Sequence, residues 1–223
     1  KMVPGSLIDY DDYDFTAVCD TQPGTNYTSF PDGFVPTVVI DHHHPVRELT
    51  KKAEVAIVEP GYGATSSLMG ELLLARDLPI PTDVATALYY GIKSETQDLC
   101  RDTSPTDEEV YRGLSKFADR KLVSRIENGK VPRGYFREIR DALERAKVYG
   151  GTAVASDLGM VDVPDMVAEM ADYLLRLQGA RWSAVMGEYQ QQLYVSLRTD
   201  DETGDAGALL KDMMTGIGSC GGH

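Results

Sequence analysis

Asp41-His42-His43-His44 places one carboxylate and three imidazoles in consecutive positions, directly after the apolar run Pro36-Thr37-Val38-Val39-Ile40. A second apolar run, Phe15-Thr16-Ala17-Val18-Cys19, ends in the same way on Asp20. Hard divalent cations such as Mg²⁺ and Mn²⁺ favour carboxylates, and Mn²⁺ also accepts imidazole. Three of the four histidines of the chain sit in this one cluster, and consecutive imidazoles have no packing rationale. Asp20 and the first imidazole, His42, are the candidate ligands. Asp41 is suited to hold an imidazole from behind, fixing its tautomer and raising its basicity. Taken by itself, Asp20 reads equally well as a turn residue at a strand end.

Two further stretches carry polar groups of interest. Gly91-Ile92-Lys93-Ser94-Glu95-Thr96-Gln97-Asp98 follows an apolar helical pattern, and Glu95 there could complete a metal shell; taken alone, the stretch also reads as a solvated loop. The chain ends on Gly218-Ser219-Cys220-Gly221-Gly222-His223, where glycines allow close backbone approach and successive N–H groups can cradle a phosphate. A glycine helix cap followed by a terminal tag residue is the alternative there. Arg198, after the apolar run Tyr194 to Leu197, could grip the same phosphate through two parallel N–H bonds.

The elements that must position these groups alternate between strand and helix patterns. Residues 14–20, 35–41 and 53–58 read as strands, and 64–75 as a helix that Thr65 or Ser66 could cap. Pro81 to Tyr90 reads as a second helix, Thr106 to Glu127 as one or two more, and Arg133 to Lys147 as a charged amphipathic helix. Residues 151–155 form a strand pattern. Pro164 to Leu177 is helical, with Met166, Met170, Leu174 and Leu177 at core spacing. Residues 182–186 and 192–197 read as hairpin strands, and Ala206 to Met214 as a closing helix. The expected class is α/β. In an open parallel sheet ligands collect outside the carboxyl ends of the strands, which is where Asp20 and Asp41 fall. The polar helix between two apolar regions reads as a linker, giving boundaries at 1–129, 130–149 and 150–223; an ordinary surface helix of one domain is the alternative.

At 223 residues and 42% hydrophobic, the chain can bury one large core or two small ones. Its 22 basic against 35 acidic residues leave a formal charge of -13. That argues against clamping of long duplex nucleic acid, while a small phosphorylated substrate is compatible because divalent cations reverse the local potential. Three cysteines without close spacing suggest a reduced, cytoplasmic setting. No apolar run is long enough for a membrane span, and the first residues lack the basic-then-apolar order of a targeting segment.

Taken together, the motifs resemble the DHH/DHHA1 phosphoesterase superfamily, which includes the RecJ exonucleases, nanoRNA and pAp phosphatases, cyclic-dinucleotide phosphodiesterases and DHH exopolyphosphatases. The matching residues are Val18-Cys19-Asp20-Thr21, Val39-Ile40-Asp41-His42-His43 and Tyr89-Tyr90-Gly91-Ile92-Lys93-Ser94-Glu95-Thr96. Ser196-Leu197-Arg198 and Gly218 to His223 look like the substrate-binding signatures of a DHHA1 domain. The variants around Asp20 and Glu95 look closest to a subgroup with a preceding potassium-channel-regulator-like nucleotide-binding domain. The resemblance implies a parallel-sheet DHH domain followed by a smaller mixed α/β DHHA1-like domain. It also implies two Mn²⁺ or Mg²⁺ ions held by Asp20, His42 and Glu95, with His43 and Asp41 in catalytic positions. Arg198, Gly221, Gly222 and His223 would bind substrate.

Two departures from the family pattern stand out. The fourth-motif Asp is replaced by Glu95, and an Asp-x-Asp first motif is missing ahead of Asp20, so the chain reads as part of a longer protein whose DHH domain is incomplete at its N-terminus. The implied activity is hydrolysis of small phosphorylated nucleotides, short single-stranded oligonucleotides or cyclic dinucleotides by two-metal-activated water, in a possible homodimer. The alternatives are a catalytically degenerate nucleotide sensor and a dimerisation or scaffold module.

Overall fold

The computed structural model describes residues 5–25, 28, 30–76, 79–201 and 203–216. The chain divides into two compact units, one ending at Gly129 and the other beginning at Lys130. Among the described residues no helix is long and apolar enough to cross a membrane.

The first unit is built on three parallel strands, β1 (Ala17–Cys19), β2 (Val38–Asp41) and β3 (Val55–Val58), in the spatial order β1-β2-β3. They are shorter than their apolar runs suggest. Thr16 and Thr37 exchange backbone N–H to side-chain Oγ1 bonds at 3.1 Å on entry, so ladder pairing starts one residue later, and Phe15 stays largely exposed. Four helices follow: α1 (Thr65–Leu74), α2 (Thr82–Glu95), α3 (Pro105–Leu114) and α4 (Arg120–Glu127). The residue before α1 is Ala64, and no side chain caps its first N–H groups, so neither Thr65 nor Ser66 takes the capping role. The core of this unit is aliphatic and aromatic, with Ala85, Ile92 and Leu114 wholly buried. Gly91 lets α2 approach α1, since a Cβ there would stand 2.2 Å from Ser66 Oγ.

The second unit carries a four-stranded sheet of β4 (Lys147–Tyr149), β5 (Ala153–Met160), β6 (Trp182–Tyr189) and β7 (Gln192–Thr199), in that order. Pairing is antiparallel, parallel and antiparallel, which makes the sheet mixed. Helices α5 (Arg133–Arg145), α6 (Asp165–Leu175) and α7 (Ala206–Met214) complete it. The helix read from sequence as a linker is α5. It packs against this sheet: Ala142 is wholly buried, and its carbonyl accepts a bond from Ser156 Oγ at 2.8 Å. Met166, Met170 and Leu174 of α6 are buried as their spacing predicts, whereas Leu177 lies past the helix end and is about half exposed. Strand β4 was not foreseen, because its three residues are all exposed and show no alternation.

Candidate metal centre

β1 and β2 run side by side and deliver their acids to one edge of the sheet. The Asp20 N–H still donates to the Ile40 carbonyl at 3.0 Å, and the chain then leaves the ladder with Asp20 at φ 61°. Aspartate tolerates this left-handed conformation better than most residues, and its side chain stays 64% exposed. Asp41 closes β2 in the opposite environment, with no solvent exposure. Its carbonyl accepts from Glu59 N–H at 3.0 Å, and its Oδ1 lies 2.8 Å from His43 Nδ1.

His42 is oriented by the backbone. Its Nδ1 lies 3.0 Å from the Tyr62 carbonyl. A carbonyl can only accept, so Nδ1 carries a proton and, in the neutral ring, Nε2 presents a lone pair. That Nε2 is buried without a hydrogen-bond partner and lies 3.7 Å from Asp20 Oδ1. The His42 and His43 rings meet edge-on, 4.4 Å between centroids. One ligand atom each from Asp20, His42 and His43 falls within 4.8 Å of the others. A carboxylate with two imidazoles is a donor set suited to Mn²⁺ and related divalent ions, and the unpartnered Nε2 fits that role.

Three supporting groups were not legible as such in the sequence. Gln22, two residues after Asp20, is 3% exposed. Its amide donates to the His43 carbonyl at 2.9 Å and accepts from Arg47 N–H at 2.8 Å and Thr50 Oγ1 at 3.0 Å. One side chain thereby fixes the whole turn after the histidines. Tyr62 supplies its carbonyl to His42 while its hydroxyl donates to Glu71 Oε2 at 2.6 Å. That hydrogen bond pushes the phenol up to about 12, so it remains a donor. Asp107, wholly buried, receives Gly63 N–H at 2.9 Å, next to Tyr62.

Glu95 is the last residue of α2 and does not join the Asp20, His42 and His43 group. Its carboxylate lies 3.8 Å from Arg101, whose guanidinium also donates to the Glu95 carbonyl at 2.8 Å. Nearby Lys93 pairs with Glu127 at 2.5 Å and Asp98 at 2.9 Å, and these contacts raise its pKa. The loop beyond turns through three successive left-handed residues, Gln97, Asp98 and Leu99 at φ 48°, 59° and 65°. For Leu99 that conformation costs about 1–2 kcal/mol.

In the second unit, Arg198 lies in β7 with its Nε 2.8 Å from Asp172 Oδ1. It borders a cleft of about 290 Å³ that Tyr194, Ser196, Asp165 and Leu210 also line. Ser196 is buried, and its Oγ has no hydrogen-bond partner among the described residues. Gly221, Gly222 and His223 lie outside the described residues.

The structure aligns with that of an exopolyphosphatase-related protein from Bacteroides fragilis at a TM-score of 0.70 and 18% identity, covering 83% of this chain and 56% of that one. The chain shares the fold of that protein. Among sequences, the chain is 30% identical over its full 223 residues to an uncharacterized protein of Methanocaldococcus jannaschii, covering 45% of that protein. It is also 30% identical over 156 residues, 68% of its length, to the cyclic-di-AMP phosphodiesterase GdpP of Geobacillus thermodenitrificans, covering 23% of that protein. The chain therefore spans less than half the length of either curated relative. No family model matches it.

Proposed function

We propose that this chain forms part of a metal-dependent phosphoesterase acting on small phosphorylated nucleotides, cyclic dinucleotides or short single-stranded oligonucleotides. The observation that carries the reading is the convergence of Asp20, His42 and His43 within 4.8 Å, with His42 Nε2 buried and unpartnered. These three residues would hold the cation, with Glu95 as a further ligand when the site is complete with two ions. A bound Mn²⁺ or Mg²⁺ supplies Lewis acidity toward phosphoryl oxygens and acidifies water. Asp20, the exposed member, supplies the negative charge. His42 holds its lone pair toward the site because Nδ1 is committed to the Tyr62 carbonyl. His43, its Nδ1 braced by buried Asp41, would face the cation with Nε2. Arg198, Gly221, Gly222 and His223 are the proposed grip on the distal phosphate. Likeness to a cyclic-di-AMP phosphodiesterase and the strong net negative charge both favour a small nucleotide over long duplex.

A second reading, a nucleotide sensor without turnover, is favoured by one observation: Glu95 engages Arg101 and stands apart from the three-residue group. One assay separates the two. Release of product from cyclic di-AMP, pAp and a short oligoribonucleotide is measured with Mn²⁺ and with EDTA, using the gene-length protein and its Asp20→Asn variant. Turnover that needs Mn²⁺ and disappears in the variant supports the enzyme; nucleotide binding without turnover on any substrate supports the sensor.

A further inference from the structure

We propose that Asp107 and Gly63 are positioning residues for the metal centre, setting the tautomer and aim of His42 through the Tyr62 carbonyl. The inference rests on the metal-site reading above and adds residues from a different part of the fold.

The chain of contacts starts at α3. Asp107 sits at its third position and forms a reciprocal cap with Ser104: Asp107 N–H donates to Ser104 Oγ at 3.2 Å, and Ser104 N–H and Oγ donate back to Asp107 Oδ2 at 2.8 Å and 2.5 Å. Capping alone does not call for a wholly buried carboxylate. The same Oδ2 also accepts from Gly63 N–H at 2.9 Å, across 44 residues of sequence. That N–H belongs to the Tyr62–Gly63 peptide, whose carbonyl is the acceptor for His42 Nδ1 at 3.0 Å. One peptide unit is therefore held at its N–H by Asp107 and at its oxygen by His42. The bond to Asp107 fixes the plane of the peptide, and the plane fixes where the imidazole must point.

Gly63 is required by the same geometry. A Cβ there would stand 2.5 Å from the Asp102 carbonyl, 2.9 Å from Thr96 Cγ2 and 3.2 Å from Asp107 Oδ2. The first of these is backbone, so any side chain at position 63 displaces the loop. Asp102 and Thr96 belong to the turn that follows Glu95, so the peptide that orients His42 is wedged against the segment carrying the fourth motif. Tyr62 is pinned independently by its hydroxyl bond to Glu71, which leaves rotation of the 62–63 peptide as the freedom that Asp107 removes.

The test uses the 223-residue chain. In the metal-free protein, long-range ¹H–¹⁵N spectra of labelled histidine report the His42 tautomer, which the proposal requires to be Nδ1-protonated. Mn²⁺ affinity is then measured by calorimetry for wild type, Asp107→Ala, Asp107→Asn and Gly63→Ala. Outer-sphere partners of ligating histidines typically contribute about 10- to 100-fold in affinity, and a loss of that size is expected for Asp107→Ala and Gly63→Ala, with His42 passing into a mixture of tautomers. Asp107→Asn keeps an acceptor oxygen for Gly63 and is expected to recover most of the loss. An Nε2-protonated His42 in wild type overturns the proposal without any variant having to fold. Folded Asp107→Ala with the wild-type tautomer and Mn²⁺ affinity overturns it as well. If wild type takes up no Mn²⁺, the metal-site reading fails; the tautomer comparison across variants still decides whether Asp107 sets the ring.

Discussion

His43 Nδ1 lies 2.8 Å from Asp41 Oδ1, and that carboxylate has no contact with solvent. A buried acid paired to an imidazole raises the basicity of the ring's other nitrogen and locks its rotation. Replacing Asp41 by Asn keeps an acceptor but removes the charge. We expect Asp41→Asn to weaken Mn²⁺ binding by about 10- to 100-fold, with the circular dichroism spectrum retained. Calorimetric titration of the variant with Mn²⁺ checks this, and an unchanged affinity would show that His43 takes no part in the site.

Gln22 presents a different expectation, one of stability. Truncation to Ala leaves the buried Thr50 hydroxyl and the partly buried Arg47 N–H and His43 carbonyl without their partner. Each unsatisfied buried group costs about 1–3 kcal/mol, with relaxation and water entry offsetting part of the sum. A loss of about 2–4 kcal/mol for the first unit is expected on that basis. Gln22→Glu retains the acceptor but loses the amide donor and buries a charge, so it should fare no better. Scanning calorimetry of both variants would expose a merely cosmetic role through an unshifted transition.

Asp107 gives the acid side of the stability profile its sign. Burial pushes its carboxyl up, but the hydrogen bonds from Ser104 and from the Gly63 and Ser104 N–H groups outweigh it and leave the pKa lowered. A group with a depressed folded pKa contributes stability above its unfolded value, near 3.9 for an aspartate, and loses it as pH falls through the folded value. The stability gap between wild type and Asp107→Asn should therefore be full at pH 6 and close progressively below the ordinary aspartate range. Melting temperatures recorded down to acid pH provide the check; a gap independent of pH would contradict it.

Arg198 has an anion beside it already, the Asp172 carboxylate. If the guanidinium binds substrate phosphate, the two anions compete. Asp172→Asn should then tighten binding of a small nucleotide such as pAp, and Arg198→Ala should weaken it, the latter through KM more than kcat. Fluorescence titration with a labelled nucleotide distinguishes this from a purely structural ion pair, in which both variants bind as wild type does.

What the sequence made legible was decided by the range over which each residue acts. Asp20 and Asp41 were visible because each ends its own apolar run, and a run of apolar residues ending on an acid is a local pattern. The alternation of strands and helices was legible for the same reason. Gln22 was not, because its three partners lie 21 to 28 residues away and a buried amide leaves no periodic trace. Tyr62 acts on His42 through a carbonyl, an atom every residue possesses, so side-chain chemistry could not point to it. Strand β4 escaped because it is an exposed edge of three residues joined almost directly to α5. Leu177 shows the converse error: its spacing fitted the buried stripe of α6, but the helix ended first.

The double anchoring of the Tyr62–Gly63 peptide bears on how such a centre can be transplanted. A designer who copied Asp20 and Asp41 to His43 onto another parallel sheet would reproduce every donor atom and leave the His42 imidazole free to flip. The smallest portable module instead runs from β1 through α3, three strands and three helices, because the last constraint on the first histidine arrives with the N-terminus of α3. A chimaera that joined the histidine loop of one protein to the third helix of another would be a sensitive probe of whether that constraint had been kept.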